Sequence, residues 1–509
     1  MEMRRTFYTG LMWLFTLAAT AQTELRTEAQ LSVSDGTTPL WLNANKYGLS
    51  SLDKTNGYAR IGAFRSLAND SARRWGWAAG ADVAVAGGYT STLIVHQAYT
   101  QLRWLKGLLT VGSKEQPLVL KDQQLSSGSQ TLGINARPVP SVRLELPDYW
   151  DIPGLNQWLG LKGHIAYGMT TDTKWQKDFT AQQSHYTENV RLHTKAGYLR
   201  IGQPARPLTV EAGMEMGCQY GGTTHLFERG EEHVMDNETG VKGAWHALIP
   251  GGEEVLERDI VYKNTSGNHV GSYVLRVNYD QPAWGVSLYA DHFFDDQSQM
   301  FFYSNNSYGQ NGKSWMEKGD RYIVFDLKDM MLGLELRVKG CLWLEKFVAE
   351  YIYTKYQSGP IYHDHSERLL DHIAGMDDYY NHSVFSAWQH WGQVMGNPLY
   401  RSPLYNDNGD ITVLDNRFTA WHLAATGTPL AGLRYRVMCT LQRGLGSYRH
   451  PFTNPRDNVS ILAEAAYSFQ QETQPLKGVT LKGALGFDRG LLLGNNTGLQ
   501  LTVAKALNL

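Results

Sequence analysis

The segment from Tyr356 to Asn397 contains the densest group of side chains that could carry chemistry. Five of the sixteen histidines of the chain fall in it, interleaved with aspartate, asparagine and aromatic residues. Side chains of these types bind metal ions, transfer protons or hold sugars. The spacing between them indicates which of these functions the segment favours. The group comprises Tyr362, His363, Asp364, His365, His372, Asp377, Asp378, Tyr379, Tyr380, Asn381, His382, Trp388, His390 and Trp391.

Metal binding is the first of these uses. His363 and His365 flank Asp364, and residues two apart share a face of a strand, so both imidazoles could point the same way. The chain has no HExxH motif, no CxxC pair and no Cys–His spacing of the kind that binds zinc. We therefore expect no metal site and no cofactor.

Catalysis is the second use. A hydrolase with a Ser–His pair also needs an orienting Asn or Asp, and Ser358, His363 and Asn381 supply these residue types. A chain with sixteen histidines offers many such triples, and it has no GxSxG elbow. The sequence therefore favours a protein that is not an enzyme, with an outer-membrane hydrolase as an alternative.

Sugar binding is the third use. Aromatic faces and planar hydrogen-bonding side chains together hold sugar rings, and the interleaving of Tyr379, Trp388 and Trp391 with Asn381 and His382 has that composition. The alternative is that the same groups hold a folded loop together through hydrogen bonds. Composition alone favours neither explanation.

Alternating apolar and polar residues predict the elements that position this segment. In Leu208–Gly217 and Leu433–Gln442 every second residue is apolar, which is typical of strands in an amphipathic sheet. Runs of about ten residues are long enough to cross a bilayer in a tilted barrel. Charges on the polar face, such as Glu211 and Glu215, suit a water-filled or loop-plugged lumen rather than a small sandwich core. Further runs are Leu25–Val33, Ser272–Asp280, Trp284–His292, Leu332–Lys339, Phe347–Thr354, Val459–Phe469, Val479–Asp488 and Leu499–Leu507.

Composition agrees with an all-β transmembrane antiparallel β-barrel. Mean hydropathy is −0.37, as expected when only every second strand residue faces lipid. Aromatic residues make up 12% of the chain, which suits girdles at the membrane interfaces and would also suit sugar binding. A net charge of −2 gives no indication of nucleic-acid binding. A soluble sandwich or propeller is the alternative, although no blade-length repeat is present.

The N-terminus predicts export. Arg4 and Arg5 precede the apolar stretch Leu11–Ala19, and Ala19–Ala21 is a small-residue cleavage site. We therefore expect a signal peptide at 1–21 and a single outer-membrane barrel domain at 22–509, in which the last strand closes against the first. Three widely separated cysteines do not suggest a disulfide framework.

Two long regions interrupt the strand pattern, near 220–268 and 356–416. Outer-membrane barrels have short periplasmic turns and long extracellular loops, so the second region is predicted to lie at the cell surface. The first is predicted to be an outer loop or a periplasmic insertion. Within it, residues 240–252 are not expected to form a stable helix.

Ordered sequence blocks resemble a known family, the capsule assembly Wzi family of outer-membrane proteins in its Bacteroidota form. The resemblance covers nearly the whole mature chain, and its most specific part contains YTKYQSGPIYHDH, DDYYNH, WQHWG and GNPLYRSPLYN. The blocks are Thr38–Leu52, Asn135–Arg143, Asp148–Pro153, Val190–Gly202, Gly267–Tyr273, His292–Phe302, Tyr353–Asn406 and Asn416–His422.

The resemblance implies an 18-stranded barrel with an obstructed lumen that binds or anchors capsular or exopolysaccharide at the cell surface without enzymatic activity. Its partners would be that polysaccharide and outer-membrane lipid, with a monomer favoured. A porin-like barrel for uptake or secretion is the alternative. The motif positions that become candidate glycan contacts are Tyr353, Tyr362, Asp364, His365, Tyr379, Tyr380, Asn381, His382, Trp388, His390, Trp391, Asn397, Arg417 and His422.

The charge of the glycan stays open at this point. The region 356–416 is not basic, so an anionic polymer would need positive charge from elsewhere in the fold. Arg417, Arg434, Arg436 and Arg443 are the candidates. A neutral glycan is equally compatible with the sequence.

Overall fold

The fold is a closed antiparallel β-barrel. The computed structural model describes residues 23–228, 230–250, 266–295, 329–357, 378–469 and 476–508. Eighteen strands form one sheet, which confirms the predicted fold class and the strand number that the resemblance implied. The barrel strands are β1 Thr23–Asp35, β2 Thr55–Arg65, β3 Trp75–Gly87, β4 Leu93–Trp104, β5 Gly107–Ser113, β6 Ser141–Asp151, β7 Leu159–Met169, β9 Arg191–Ile201, β10 Leu208–Tyr220, β13 Asn268–Asp280, β14 Trp284–Asp295, β15 Met330–Val338, β16 Lys346–Tyr353, β19 Phe418–Leu430, β20 Leu433–Gly446, β21 Pro451–Ser468, β22 Val479–Gly490 and β23 Asn496–Asn508.

Smaller elements lie in the connections between barrel strands. Within the described ranges, three short strands form a separate sheet, two more form a small hairpin, and three short helices accompany two 3-10 turns. In the described residues, no helix is long and apolar enough to cross a membrane. These elements are β8 Tyr186–Glu188, β11 Thr223–Glu228, β12 Glu231–Asp236, β17 Gln389–His390, β18 Gln393–Val394, α1 Leu40–Asn43, α2 Thr173–Thr180, α3 Gly240–Leu248 and the 3-10 turns Leu67–Asp70 and Pro403–Tyr405.

The first and last strands close the barrel. β1 and β23 pair antiparallel from Glu24 opposite Asn508 to Asp35 opposite Thr497, which confirms the predicted closure. Closure pairs the backbone groups of both strands and leaves no sheet edge, as a strand structure in lipid requires.

Strand alternation separates an apolar outer wall from a polar inner wall. On β23, Leu501 is 54% exposed on the outside, whereas the neighbouring Thr502 is 4% exposed and faces the lumen. The predicted runs fall within or largely overlap barrel strands and have the predicted polarity. A continuous band of exposed leucine and valine side chains is the surface expected of a protein that sits in lipid.

The two ends of the barrel differ. Short connections, such as 105–106, 281–283 and 431–432, join strands at the end from which β1 starts and at which β23 finishes, here called the short-turn end. The opposite end, here called the loop end, carries the long connections. These long connections are 36–54, 114–140, 170–190, 221–267, 296–329 and 354–417.

Outward aromatic residues mark the short-turn end. Trp75 and Trp104 face outward side by side with ring centroids 5.8 Å apart, and Tyr279 packs against Trp284 at 5.8 Å. At the loop end, Tyr351 lies 4.7 Å from Trp421 on the outer wall. Amphipathic rings at both ends of an apolar band are typical of membrane-interface girdles.

One local prediction was wrong. Residues 240–252 were expected to form no stable helix, but α3 spans Gly240–Leu248. Tertiary contacts stabilise it, because Ala247 is buried beside Tyr220, and Glu238 pairs with Lys242 and His246 at 2.6 Å each. Packing of this kind outweighs weak intrinsic helix propensity. The predicted signal peptide lies outside the described residues, and all three cysteines are free.

Lipid exposure of the outer wall can be tested on β23. Leu501→Arg places a charge near the middle of the apolar band and should lower the free energy of unfolding by about 2–4 kcal/mol, whereas Leu507→Arg near the short-turn end should cost about 0–1 kcal/mol. Chemical denaturation in lipid vesicles, followed by Trp fluorescence, measures both. Equal costs at the two positions would contradict this membrane placement.

Candidate functional site

Connections from the loop end fold back into the barrel and fill its interior. Segments 36–54, 114–140 and 378–417, here called the plug, share one core that contains Leu42, Leu125 and Trp388. The predicted obstruction of the lumen is therefore confirmed. The placement of the whole region 356–416 at the cell surface was wrong for its described part, because its apolar and aromatic side chains are buried inside the barrel.

Carboxylates on the inner wall hold the plug segment 114–140. Glu350 accepts hydrogen bonds from Ser126 Oγ at 2.6 Å and from the Ser127 amide at 2.9 Å. Glu215 accepts from Ser129 Oγ at 2.9 Å. The segment is therefore attached to several strands at once.

A buried ion pair completes this attachment. Lys121 Nζ lies 2.7 Å from Asp291 Oδ2, and both side chains are almost fully buried. Burial by itself lowers the pKa of Lys121, but the neighbouring Asp291, Glu215 and Glu350 carboxylates outweigh that effect and raise the pKa. Lys121 is therefore charged and offsets part of the negative charge of the inner wall.

Segment 36–54 is fixed to other strands of the inner wall, β20 and β22. The Leu40 amide donates to Asp488 Oδ2 at 3.0 Å, and Trp41 Nε1 donates to Thr440 Oγ1 at 3.0 Å. A Cβ on Gly486 of β22 would lie 2.6 Å from the Leu42 side chain, so a residue without a side chain is needed where α1 meets the wall.

Segment 378–417 packs through aromatic rings. Tyr380 lies 4.1 Å from Tyr400 and 5.3 Å from Phe293, measured between ring centroids, and Tyr379 lies 4.7 Å from Phe293. Trp388 lies so close to β10 that a Cβ on Gly217 would come within 2.3 Å of the indole. Edge contacts and close packing of this kind hold the segment in one arrangement.

Polar atoms of the same segment bond to the rest of the protein. His390 Nδ1 donates to the Arg137 carbonyl at 2.9 Å, and its Nε2 accepts from the Thr171 amide at 3.0 Å. Burial lowers the pKa of His390, which keeps the ring neutral as this pair of bonds requires. Asn397 Nδ2 donates to Ser127 Oγ at 3.2 Å, and His422 Nε2 donates to the Leu125 carbonyl at 2.8 Å.

The predicted glycan contacts therefore divide into two sets. Buried residues that bond or pack within the plug are Tyr379, Tyr380, Trp388, His390, Asn397 and His422. Half-buried residues are Tyr353, Asn381, His382, Trp391 and Arg417. Tyr362, Asp364 and His365 lie outside the described residues. The role of all of them in binding a glycan stays a prediction.

Three of the half-buried residues form cation–aromatic pairs, one of which places Lys355 Nζ 5.3 Å from the Tyr353 ring. The Arg137 guanidinium lies 4.3 Å from the Trp391 ring, whose Nε1 donates to Thr171 Oγ1 at 3.1 Å. The Arg417 guanidinium lies 3.7 Å from the Tyr448 ring. Such pairs fix the ring orientation and leave a flat, partly polar surface.

The candidate arginines are split between the two ends of the barrel. Arg417 and Arg443 lie at the loop end, since Thr419 pairs with Arg443 at the start of β19. Arg434 and Arg436 lie toward the short-turn end, where Arg436 pairs with Glu464 at 3.2 Å. Only the first pair is therefore placed beside the long connections.

Sequence reasoning identified Glu215 as a lumen-facing charge but missed Glu350, Asp291 and their contacts with segment 114–140. Glu350 stands at an inward position between Val348 and Ile352, and Asp291 stands likewise between Tyr289 and Phe293. An acidic residue flanked by apolar inward neighbours indicates a buried partner, and that signal was available in the sequence. Among the residues that the structure describes, no three metal-ligating side chains cluster together.

A cavity of about 150 Å³ lies between the plug and strands β6, β7, β9 and β10. It is lined by aliphatic, aromatic and polar side chains, and a space of this size is large enough to hold several waters. The lining includes Lys114, Arg143, His164, Tyr198 and Trp388.

Comparisons with known proteins support the fold. No family model matches the chain, and no curated protein matches its sequence. Among solved structures, the chain is similar to Wzi, described as a carbohydrate-binding β-barrel involved in group 1 capsule assembly in Escherichia coli, with 12% identity, a TM-score of 0.56, and coverage of 95% of this chain and 85% of that chain. Pseudomonas aeruginosa OprD gives 10% identity and a TM-score of 0.45, covering 96% of each chain. The similarity to Wzi shows the barrel fold alone.

The Lys121–Asp291 pair yields a double-mutant test. Lys121→Met leaves a buried carboxylate uncompensated and should cost about 3–5 kcal/mol of unfolding free energy. Adding Asp291→Asn removes the charge but keeps an acceptor for the Gln130 amide, so the double variant should recover much of that loss. Chemical denaturation of the refolded barrels measures the unfolding free energy of the single and double variants. If the losses caused by the two substitutions were additive, the pairing would be contradicted.

Asp415 yields a pH test. Burial raises the pKa of this carboxyl from 3.8 to about 7, although its Oδ1 accepts from the Gly446 amide at 2.8 Å. The folded protein therefore binds the proton more tightly than the unfolded chain, so this contribution to stability is fully present below pH 3.8 and is lost as the pH rises through about 7. Asp415→Asn should reduce the loss of stability between about pH 4 and about pH 8 in denaturation curves. An unchanged pH profile would contradict the shift.

Proposed function

We propose that this chain is a non-enzymatic outer-membrane barrel that binds or anchors a capsular or exopolysaccharide at the cell surface. The observation that carries the proposal is the plug, which packs the loop-end part of the lumen with buried aromatic and hydrogen-bonded side chains. The likeness to a carbohydrate-binding barrel and the ordered family blocks support it.

Placement in the outer membrane follows from the surface of the barrel. The exposed apolar band and the aromatic residues at its ends fit a bilayer. Short turns face the periplasm in barrels of this type, so the loop end would face the outside of the cell. The long connections would then meet the polysaccharide directly.

The plug gives the loop end a fixed shape. Buried groups such as Tyr380, Trp388 and His390 are bonded within the protein, so they position the segment that presents Trp391. A surface held in its binding conformation loses less entropy when a flexible polymer binds. We therefore assign sugar contact to the half-buried candidates and positioning to the buried ones.

A transport barrel is the second candidate. The observation that favours it is the charged inner wall below the plug, where Arg436 and Lys482 flank Glu464, together with the cavity of about 150 Å³ beside segment 114–140. Movement of the plug would be needed to join these spaces into a channel.

Trp391 tests the proposed contact. Trp391→Ala should weaken binding of polysaccharide purified from the producing strain several-fold, because it removes a partly exposed aromatic face. Trp343→Ala is the matched control, since Trp343 is 71% exposed at the short-turn end. Pull-down with the refolded full chain measures both variants. Equal binding by wild type and Trp391→Ala would reject this contact.

Conductance separates the two candidate functions. In a planar bilayer the plugged barrel should carry little steady current, because the plug occupies the lumen from one wall to the other. An open porin in the same bilayer provides the positive control. A large steady current would support the transport barrel over the polysaccharide-binding barrel.

A further inference from the structure

Five basic side chains lie together at the loop end. The group, here called the basic rim, consists of Lys355, Arg417, Arg443, Arg449 and Arg456. The first two follow β16 and precede β19, and the other three lie on or between β20 and β21. Arg449 is 70% and Arg443 is 60% exposed in its side chain. The rim is therefore accessible from outside the barrel.

Contacts within the rim hold its members next to one another. Arg417 Nε donates to the Lys355 carbonyl at 3.2 Å, and the Tyr448 hydroxyl donates to the same carbonyl at 3.4 Å. The Arg456 guanidinium lies 4.0 Å from the Phe452 ring, as the Arg417 guanidinium lies over Tyr448. Stacking on these rings fixes two guanidinium groups without neutralising them.

Acidic neighbours neutralise little of this charge. Arg449 lies 3.9 Å from Asp378, and Arg443 lies 3.8 Å from Asp457, both at the outer limit of an ion pair. The arginine of each pair is exposed, and ion pairs of this length contribute little. In the described residues the rim thus carries more positive charge than its paired carboxylates offset.

The rim faces the outside medium more than the lipid. Arg449 lies in connection 447–450, beyond the ends of β20 and β21. On the outer wall of β20, the lipid-facing Leu441 lies two residues below Arg443. Arg443 therefore points outward near the membrane boundary, whereas Arg449 lies beyond the barrel wall.

We propose that the basic rim binds acidic polysaccharide, and this inference rests on the proposed function. Repeated carboxylate groups along one chain can engage several guanidinium groups at once, so weak single contacts add up. Arginine also matches a carboxylate with two parallel hydrogen bonds. The rim therefore selects a polyanion over a neutral glycan, a choice that the sequence left open.

The test compares charge-reversed variants of the full chain in detergent. Arg449→Glu with Arg456→Glu reverses two of the rim charges, and Lys106→Glu with Arg206→Glu reverses two exposed charges at the short-turn end as a matched control. The probes are hyaluronan as the acidic polymer, dextran as the neutral one, and polysaccharide from the producing strain. Heat-modifiable migration on gels verifies that each variant is folded.

The expected result is that wild type and control bind hyaluronan more tightly than dextran, and that the rim variant binds hyaluronan about tenfold more weakly. Added salt should weaken hyaluronan binding by wild type, because it screens exposed charges. Equal hyaluronan binding by the rim variant and the control would overturn the inference.

Two further outcomes distinguish this inference from the proposed function. Salt-insensitive binding of the strain polysaccharide, with hyaluronan bound no better than dextran, would overturn the acidic class and leave polysaccharide binding standing. Failure to bind any of the three polymers would overturn both.

A vesicle assay separates polysaccharide from lipid as the ligand of the rim. If the rim variant lost binding to phosphatidylglycerol vesicles but kept hyaluronan binding, the rim would be assigned to lipid and the inference would be overturned.

Discussion

The charge of the inner wall is the constraint on which the rest of the structure depends. Asp291, Glu215 and Glu350 project from barrel strands into the interior of the barrel and are buried there, and a buried carboxylate needs a partner. Segment 114–140 supplies those partners through Lys121, serine hydroxyls and backbone amides. The plug is therefore part of the fold rather than an addition to it, since wall and plug satisfy each other.

A second plug segment is held by contacts of its own. Residues 378–417 carry the aromatic and polar composition expected of a sugar-binding loop, yet Tyr380, Trp388 and His390 use their polar atoms inside the protein. The internal network is thus present, and it is compatible with the proposed sugar contact. A loop with a dense internal network can present a few side chains, such as Trp391, in a fixed orientation.

The two ends of the barrel also differ in the connections and side chains that they carry. The short-turn end combines tight connections with outward tryptophans, which suits a fixed position in a bilayer. The loop end combines the plug with the basic rim, and charged groups there stay exposed because strands no longer surround them. The proposed binding groups are therefore separated along the barrel axis from the aromatic residues of the short-turn end.

The sequence by itself determined the barrel, because alternation with a period of two fixes which side chains face lipid and which face the lumen, as on β10, β20 and β23. The resemblance supplied the strand number and the obstruction. Neither predicted that segment 114–140 would meet Asp291 and Glu350, that α3 would form, or that Trp388 would be buried while Trp391 stays partly exposed. Those outcomes depend on contacts between residues far apart in the chain, where packing outweighs local preference, so only the tertiary structure decided them.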